Sequence, residues 1–167
     1  MKISMHTMAV EQPARMLTNL STLLDKGVAH AQAKKFEPAV LVNARIAPDM
    51  FPLSRQVQIA CDMLKNGVAR LTGQEAPRFE DNEQTIEELK ARIAKTIDYV
   101  KSVPAAAFEG SEDRDIKIPL RDRTLEMKGL PYLNGFVLPN FYFHVTMTYA
   151  LLRQNGVALG KPDFMGA

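Results

Sequence analysis

Apolar residues fall at helical spacing in four separate stretches of this chain, and that repetition constrains the fold more than any other feature. The clearest stripe is Leu53, Val57, Ala60, Leu64, Val68 and Leu71, at steps of three and four. It predicts a helix over about residues 52–71, with Pro52 in its first turn and Gly73 as its stop. An earlier helix is expected over about residues 8–33, where Val10, Met16, Leu17, Leu20, Leu23, Leu24 and Val28 recur. Pro13 falls in its first turns and either starts the regular helix or kinks it. The third stretch, about 85–103, places Leu89, Ile93, Ile97 and Val100 on one face. Glu87, Lys90, Arg92 and Lys95 mark its solvated face, and Thr85 with Glu88 has the spacing of a capping box. The fourth starts between Pro131 and Pro139 and ends near Asn155, ahead of Gly156. Phe136, Val137, Phe143, Met147 and Leu151 are its expected inner face.

The segments between these stretches differ in kind. Residues 34–52 carry Pro38, Pro48 and Pro52, which reads as a long connection. Its apolar Phe36, Val40, Leu41, Val42 and Ile46 are expected to pack on the helices. A second loop spans 72–82. After the third helix the period changes to two: Ile116, Ile118 and Leu120 alternate with polar residues, as do Leu125 and Met127. With Arg121-Asp122-Arg123 between them, these read as a β-hairpin whose apolar face rests on the helices. Pro119 makes the first strand an edge. Phe164 is expected to pin the tail. Four amphipathic helices bury their stripes best against each other. The expected fold is therefore mainly α: one domain over residues 1–167, a four-helix bundle with a small β-hairpin between the third and fourth helices. The two long links leave room for an order other than simple up-down-up-down.

Composition matters mainly for what it excludes. The 21 basic and 19 acidic residues leave a net charge of +2 with no basic run, so nucleic acid is not an expected partner. No stretch is apolar for the ~20 residues a membrane span requires, and no secretory signal is recognisable. A cytoplasmic protein is expected. The single Cys61 lies among apolar helix residues and reads as a small buried hydrophobe.

Three histidines are candidates for chemistry. His6, near the chain start, is expected in solvent, and His30 near the carbonyl end of the first helix. His144 lies on the most apolar stripe, where both ring nitrogens need partners. It is either a core histidine bonded to Gln56, Asp62 or Tyr149, a metal ligand, or a general acid or base. A helix presents a second ligand at a spacing of three or four, but those positions hold Met147, Thr148 and Asn140. Acidic help would come only from Asp62 or Asp49. Tyr149 and Arg153, one turn apart, read as a surface pair. No phosphate loop, nucleophile elbow or nucleotide fingerprint is present.

The segment Pro139-Asn140-Phe141-Tyr142-Phe143-His144, followed by Tyr149-Ala150-Leu151-Leu152-Arg153 and Gly156-Val157, resembles an uncharacterised bacterial branch of the DinB/YfiT-like superfamily. So do Ala47-Pro48-Asp49-Met50-Phe51-Pro52-Leu53, Arg55-Gln56-Val57-Gln58, Phe79-Glu80-Asp81 and the closing Gly160-Lys161 with Asp163-Phe164. The resemblance implies a four-helix bundle, often a homodimer. In metal-binding relatives, one histidine of the second helix and two of the fourth hold a divalent metal such as nickel or zinc. Some relatives are thiol-dependent transferases or isomerases. Here only His144 matches a metal-binding histidine; Gln56, Gln58 or Asp62 would have to replace the one on the second helix. The expectation is a degenerate metal site, no bound metal, and a small-ligand pocket drawn from Gln56, Asp62, Asn140, His144 and Tyr149. The alternatives are a metal- or thiol-dependent transferase or isomerase with an altered site, and a non-enzymatic dimeric interaction protein.

Overall fold

The computed structural model describes residues 3–120 and 122–167. Four long helices carry the fold: α1 (Gln12–Lys34), α3 (Leu53–Thr72), α4 (Ile86–Ser102) and α6 (Leu138–Gln154), with short α2 (Ala39–Val42) and α5 (Gly129–Tyr132) between them. A five-residue turn of helix, α7 (Lys161–Met165), ends the fold. Each long helix buries its stripe against two others. α1 packs on α4 and α6, and α3 packs on the same two. α1 and α3, consecutive long helices in the chain, thus lie across the diagonal of the bundle.

The stripe of α3 is buried throughout, from Leu53 to Leu71, as its spacing predicts. Pro52 caps this helix from outside in extended conformation, and Gly73 ends it at φ 69°, a left-handed turn that glycine adopts without steric cost. α4 begins with the expected capping box: the Thr85 hydroxyl accepts from the Glu88 amide, and the Glu88 carboxylate accepts from the Thr85 amide. Gly67 of α3 lets α3 come close to the chain entering α6. A Cβ there would stand 2.8 Å from Val137 Cγ1.

Wide π turns precede two of the prolines of the bundle, Pro13 and Pro139. Thr7–Glu11 leads into α1, where Pro13 is the second residue, and Leu133–Val137 leads into α6, where Pro139 is the second. A proline ring collides with the carbonyl four residues back and offers that carbonyl no N–H. In the wide turns the residue before each proline reaches one residue further, so that the Gln12 amide bonds to the Thr7 carbonyl and that of Leu138 to Leu133. Pro13 therefore stands in the first turn of the regular α-helix, the first of the two expected readings, with a wide turn already wound ahead of it. The helical turn begins earlier, where the Ser4 hydroxyl accepts from the Thr7 amide.

The hairpin pairs β1 (Asp115–Pro119) with β2 (Thr124–Lys128), antiparallel, with Ile116 opposite Met127 and Ile118 opposite Leu125. Ile116 and Ile118 are buried in the common core, whereas Leu120 lies exposed in the turn. Arg121 lies outside the described residues. Phe164 pins the tail as expected: its ring meets Tyr149 edge-on, and its carbonyl accepts from Asn19.

Four expectations need correction. In the connection, Leu41 and Val42 are buried, but Val40 faces solvent, because one turn of α2 offers only one side to the bundle, and Ile46, beyond that turn, is exposed as well. On α6 the buried side is Phe141, His144, Val145, Thr148, Leu151 and Leu152, while Phe143 is 55% exposed and Met147 is partly buried. That helix is apolar nearly all round, so spacing alone does not choose its inner face. His6 does not hang in solvent; it is half-buried in the first helical turn, edge-on to Phe108 at 5.4 Å. Arg92 does not lie on the solvated face of α4 but is 2% exposed, because carboxylates of α3 and the following loop receive it.

Candidate functional site

The site forms where α3 and α6 face each other. Gln56 sits one turn into α3, and its backbone amide bonds back to the Pro52 carbonyl. Its side-chain amide group donates to the Phe51 carbonyl at 3.2 Å, just outside the helix. That contact turns Oε1 of Gln56 toward α6. There it meets Nδ1 of His144 at 2.7 Å. An amide oxygen only accepts, so Nδ1 carries the proton and donates. In a neutral ring, Nε2 is then left with the lone pair.

Burial and, after it, the charge of Arg55 pull the His144 pKa below its ordinary value of 6.5. His144 is 8% exposed, and Gln56 is buried beside it. The imidazole is therefore neutral at pH 7. Among the described residues no protein group hydrogen bonds to Nε2. Phe143 stands edge-on to the ring at 5.2 Å and projects outward, and Phe51, 54% exposed, flanks the Gln56 end. Here a buried imidazole holds a fixed tautomer with the exposed phenyl ring of Phe143 against it, and the exposed Phe51 is tied to the same pair through its carbonyl.

The other residues expected in a pocket are committed elsewhere. Asp62 lies six residues beyond Gln56, which turns it by roughly 120° around the helix, from the α6 side toward α4. There its carboxylate meets Arg92 at 2.9 Å and Lys65 at 3.2 Å. Asn140 donates to the Phe136 carbonyl within the wide turn, at 2.7 Å. Tyr149 holds Phe164. Asp49 is exposed in the connection. Of the candidates, only Gln56 and His144 come together. Cys61 is fully buried, and burial pushes its thiol up to about 12.

A divalent nickel or zinc ion does not fit this donor set. One nitrogen, His144 Nε2, is free. Gln56 Oε1 is occupied by the Nδ1 proton, and the Thr148 hydroxyl donates to the His144 carbonyl at 3.1 Å. Nickel and zinc need several convergent ligands. Among the described residues no three His, Cys, Asp or Glu side chains converge in that way.

Two cavities open elsewhere on the surface, and neither is lined by His144. One, of about 550 Å³, lies beside the first helical turn, against Met5, Met8, Phe108 and Leu130. The other, of about 330 Å³, lies over Arg92. Helical spacing alone does not find this second region, since Arg92 alternates with exposed charges. A signal was present in the loop, where Glu80, Asp81 and Glu83 cluster within reach of a helix.

The comparisons with known proteins cover nearly all of the chain. The model of a domain of unknown function, DUF1993, matches residues 5–165. The crystal structure of a DinB family member protein from Shewanella denitrificans is similar at a TM-score of 0.91 and 43% sequence identity, over 97% of this chain and 92% of that one. No curated protein matches the chain. No helix among the described residues is long and apolar enough to cross a membrane.

Proposed function

The chain belongs to the DUF1993 family, a branch of the DinB-like bundles, and from that premise we propose that it binds a small ligand at His144 through a metal site that has degenerated to one imidazole. The observation that carries this reading is the chain of bonds from Phe51 through Gln56 to His144. In histidines that hold a metal, a bond of this kind to one ring nitrogen orients the other toward the metal. Here the aim is kept while the remaining metal ligands are absent. A lone neutral nitrogen of this type accepts a hydrogen bond or takes a proton from a bound donor. The exposed Phe51 and Phe143 rings add apolar contact area for the body of such a molecule. We also place the protein in the cytoplasm, as one domain acting alongside a second copy of itself.

Elemental analysis of tag-free protein, combined with ¹⁵N spectra of the imidazole nitrogens, tests the proposal. The expected result is nickel and zinc well below one ion per chain, with His144 as the neutral Nδ1–H tautomer at pH 7. Stoichiometric metal that disappears in His144→Ala would instead favour the altered metal-dependent transferase.

A further inference from the structure

The loop between α3 and α4 is tied down unusually heavily for a stretch without regular structure. Lys65 donates to the Pro77 carbonyl at 2.9 Å, and Arg92 to the Glu80 carbonyl at 3.0 Å. Gln58 donates to Glu83 at 2.9 Å, and Arg55 pairs with Asp81. Arg92 also meets the carboxylates of Asp62, Asp81 and Glu83, each at 2.9 Å. Phe79 lies over these cations, 4.4 Å from Lys65 Nζ and 5.6 Å from Arg92 Cζ, measured to its ring centroid. Burying two cations is costly unless every partner is in place. What this investment secures is the wall of the 330 Å³ cavity, formed by residues of the loop and of the first turns of α4.

The charges on that wall sort into two sets. Arg92 and Glu83 are already committed to the ion-pair cluster, and Arg92 keeps one buried Nε–H without a protein partner among the described residues. The remaining charged residues of the lining are Arg78 and Lys95 of one sign, and Glu80 and Glu88 of the other. Among the described residues none of these four forms an ion pair. Glu88 is fixed in place by the amides of Gln84 and Thr85, at 2.7 and 2.9 Å. Phe79 and Ala91 supply the apolar part.

From this arrangement we infer that the cavity over Arg92 is a second binding site, for a small zwitterion of the amino-acid type. Its carboxylate meets Arg78 and Lys95, its ammonium group meets Glu80 and Glu88, and its side chain lies on Phe79. A purely anionic or purely cationic molecule satisfies one pair and faces repulsion from the other. The pinned loop presents the site preformed, so little ordering is needed on binding.

Amide NMR titration of the full chain with L-phenylalanine, 3-phenylpropionate and phenethylamine separates the possibilities, since the second lacks the ammonium group and the third the carboxylate. Saturable shifts confined to residues 78–95 are expected with L-phenylalanine, and binding about tenfold weaker or more with either singly charged analogue. The exposed pair Arg78→Ala and Lys95→Ala should abolish the preference for L-phenylalanine over phenethylamine, while His144→Ala leaves it intact. Equal affinity for 3-phenylpropionate and L-phenylalanine would overturn the zwitterion assignment. Absence of saturable shifts at 78–95 with all three would overturn the site itself.

Discussion

Just below pH 6.5, the pH response of the fold should depend in part on a single amide. Gln56 offers only an oxygen to His144, and the Phe51 carbonyl fixes that choice. A second proton on the ring would sit buried near the Arg55 charge, which lowers the His144 pKa. Between the ordinary value of 6.5 and the lower folded value, the unfolded chain binds a proton that the folded chain does not. Stability from this group is therefore complete above the ordinary value and is lost as pH falls toward the folded one. Urea denaturation across that window should show the wild type losing stability with acidification relative to His144→Asn; parallel curves would refute the assignment. The sequence placed His144 inward, on an apolar stripe, and included Gln56 among its partners as a polar residue off the centre of the stripe on the second helix. It did not exclude Asp62 and Tyr149, since the angular offset between Gln56 and Asp62 matters only once the positions of α4 and α6 around α3 are known.

Helices that were legible as elements were less legible as faces. Boundaries came through where local chemistry marks them, as at the Thr85 capping box and at Gly73. Faces came through on α3, where polar residues interrupt the stripe, and failed on α6, where they do not. On α4 the failure was Arg92, a residue usually solvated unless paired. Its partners lie on another helix and in a loop, out of reach of any periodicity argument. Arg92→Ala should cost about 3–5 kcal/mol by chemical denaturation, because Asp62, Asp81 and Glu83 would be left facing each other without their shared cation. A loss below about 1 kcal/mol, the range of a surface ion pair, would mean that the cluster is solvated after all.

At the scale of the whole molecule, the exposed rings of Phe51 and Phe143 and the exposed Val40 and Ile46 are the large apolar groups most open to a partner near His144 and in the connection. With a second copy proposed as that partner, sedimentation velocity at micromolar concentration should give twice the 18.6 kDa chain mass. Phe143→Ser should shift the population toward the single chain; a wild type that already sediments as one chain would discard the pairing. The order of the helices around the bundle has a separate consequence, for synthesis. α1 leaves the ribosome first, yet both helices that cover its stripe, α4 and α6, are made later, and α3 stands across the diagonal. Its apolar face thus has no native neighbour among the long helices until about residue 102 has emerged, whereas α3 and α4 can pair as soon as the loop joining them is complete. The nascent chain therefore holds its first helix uncovered while its middle assembles.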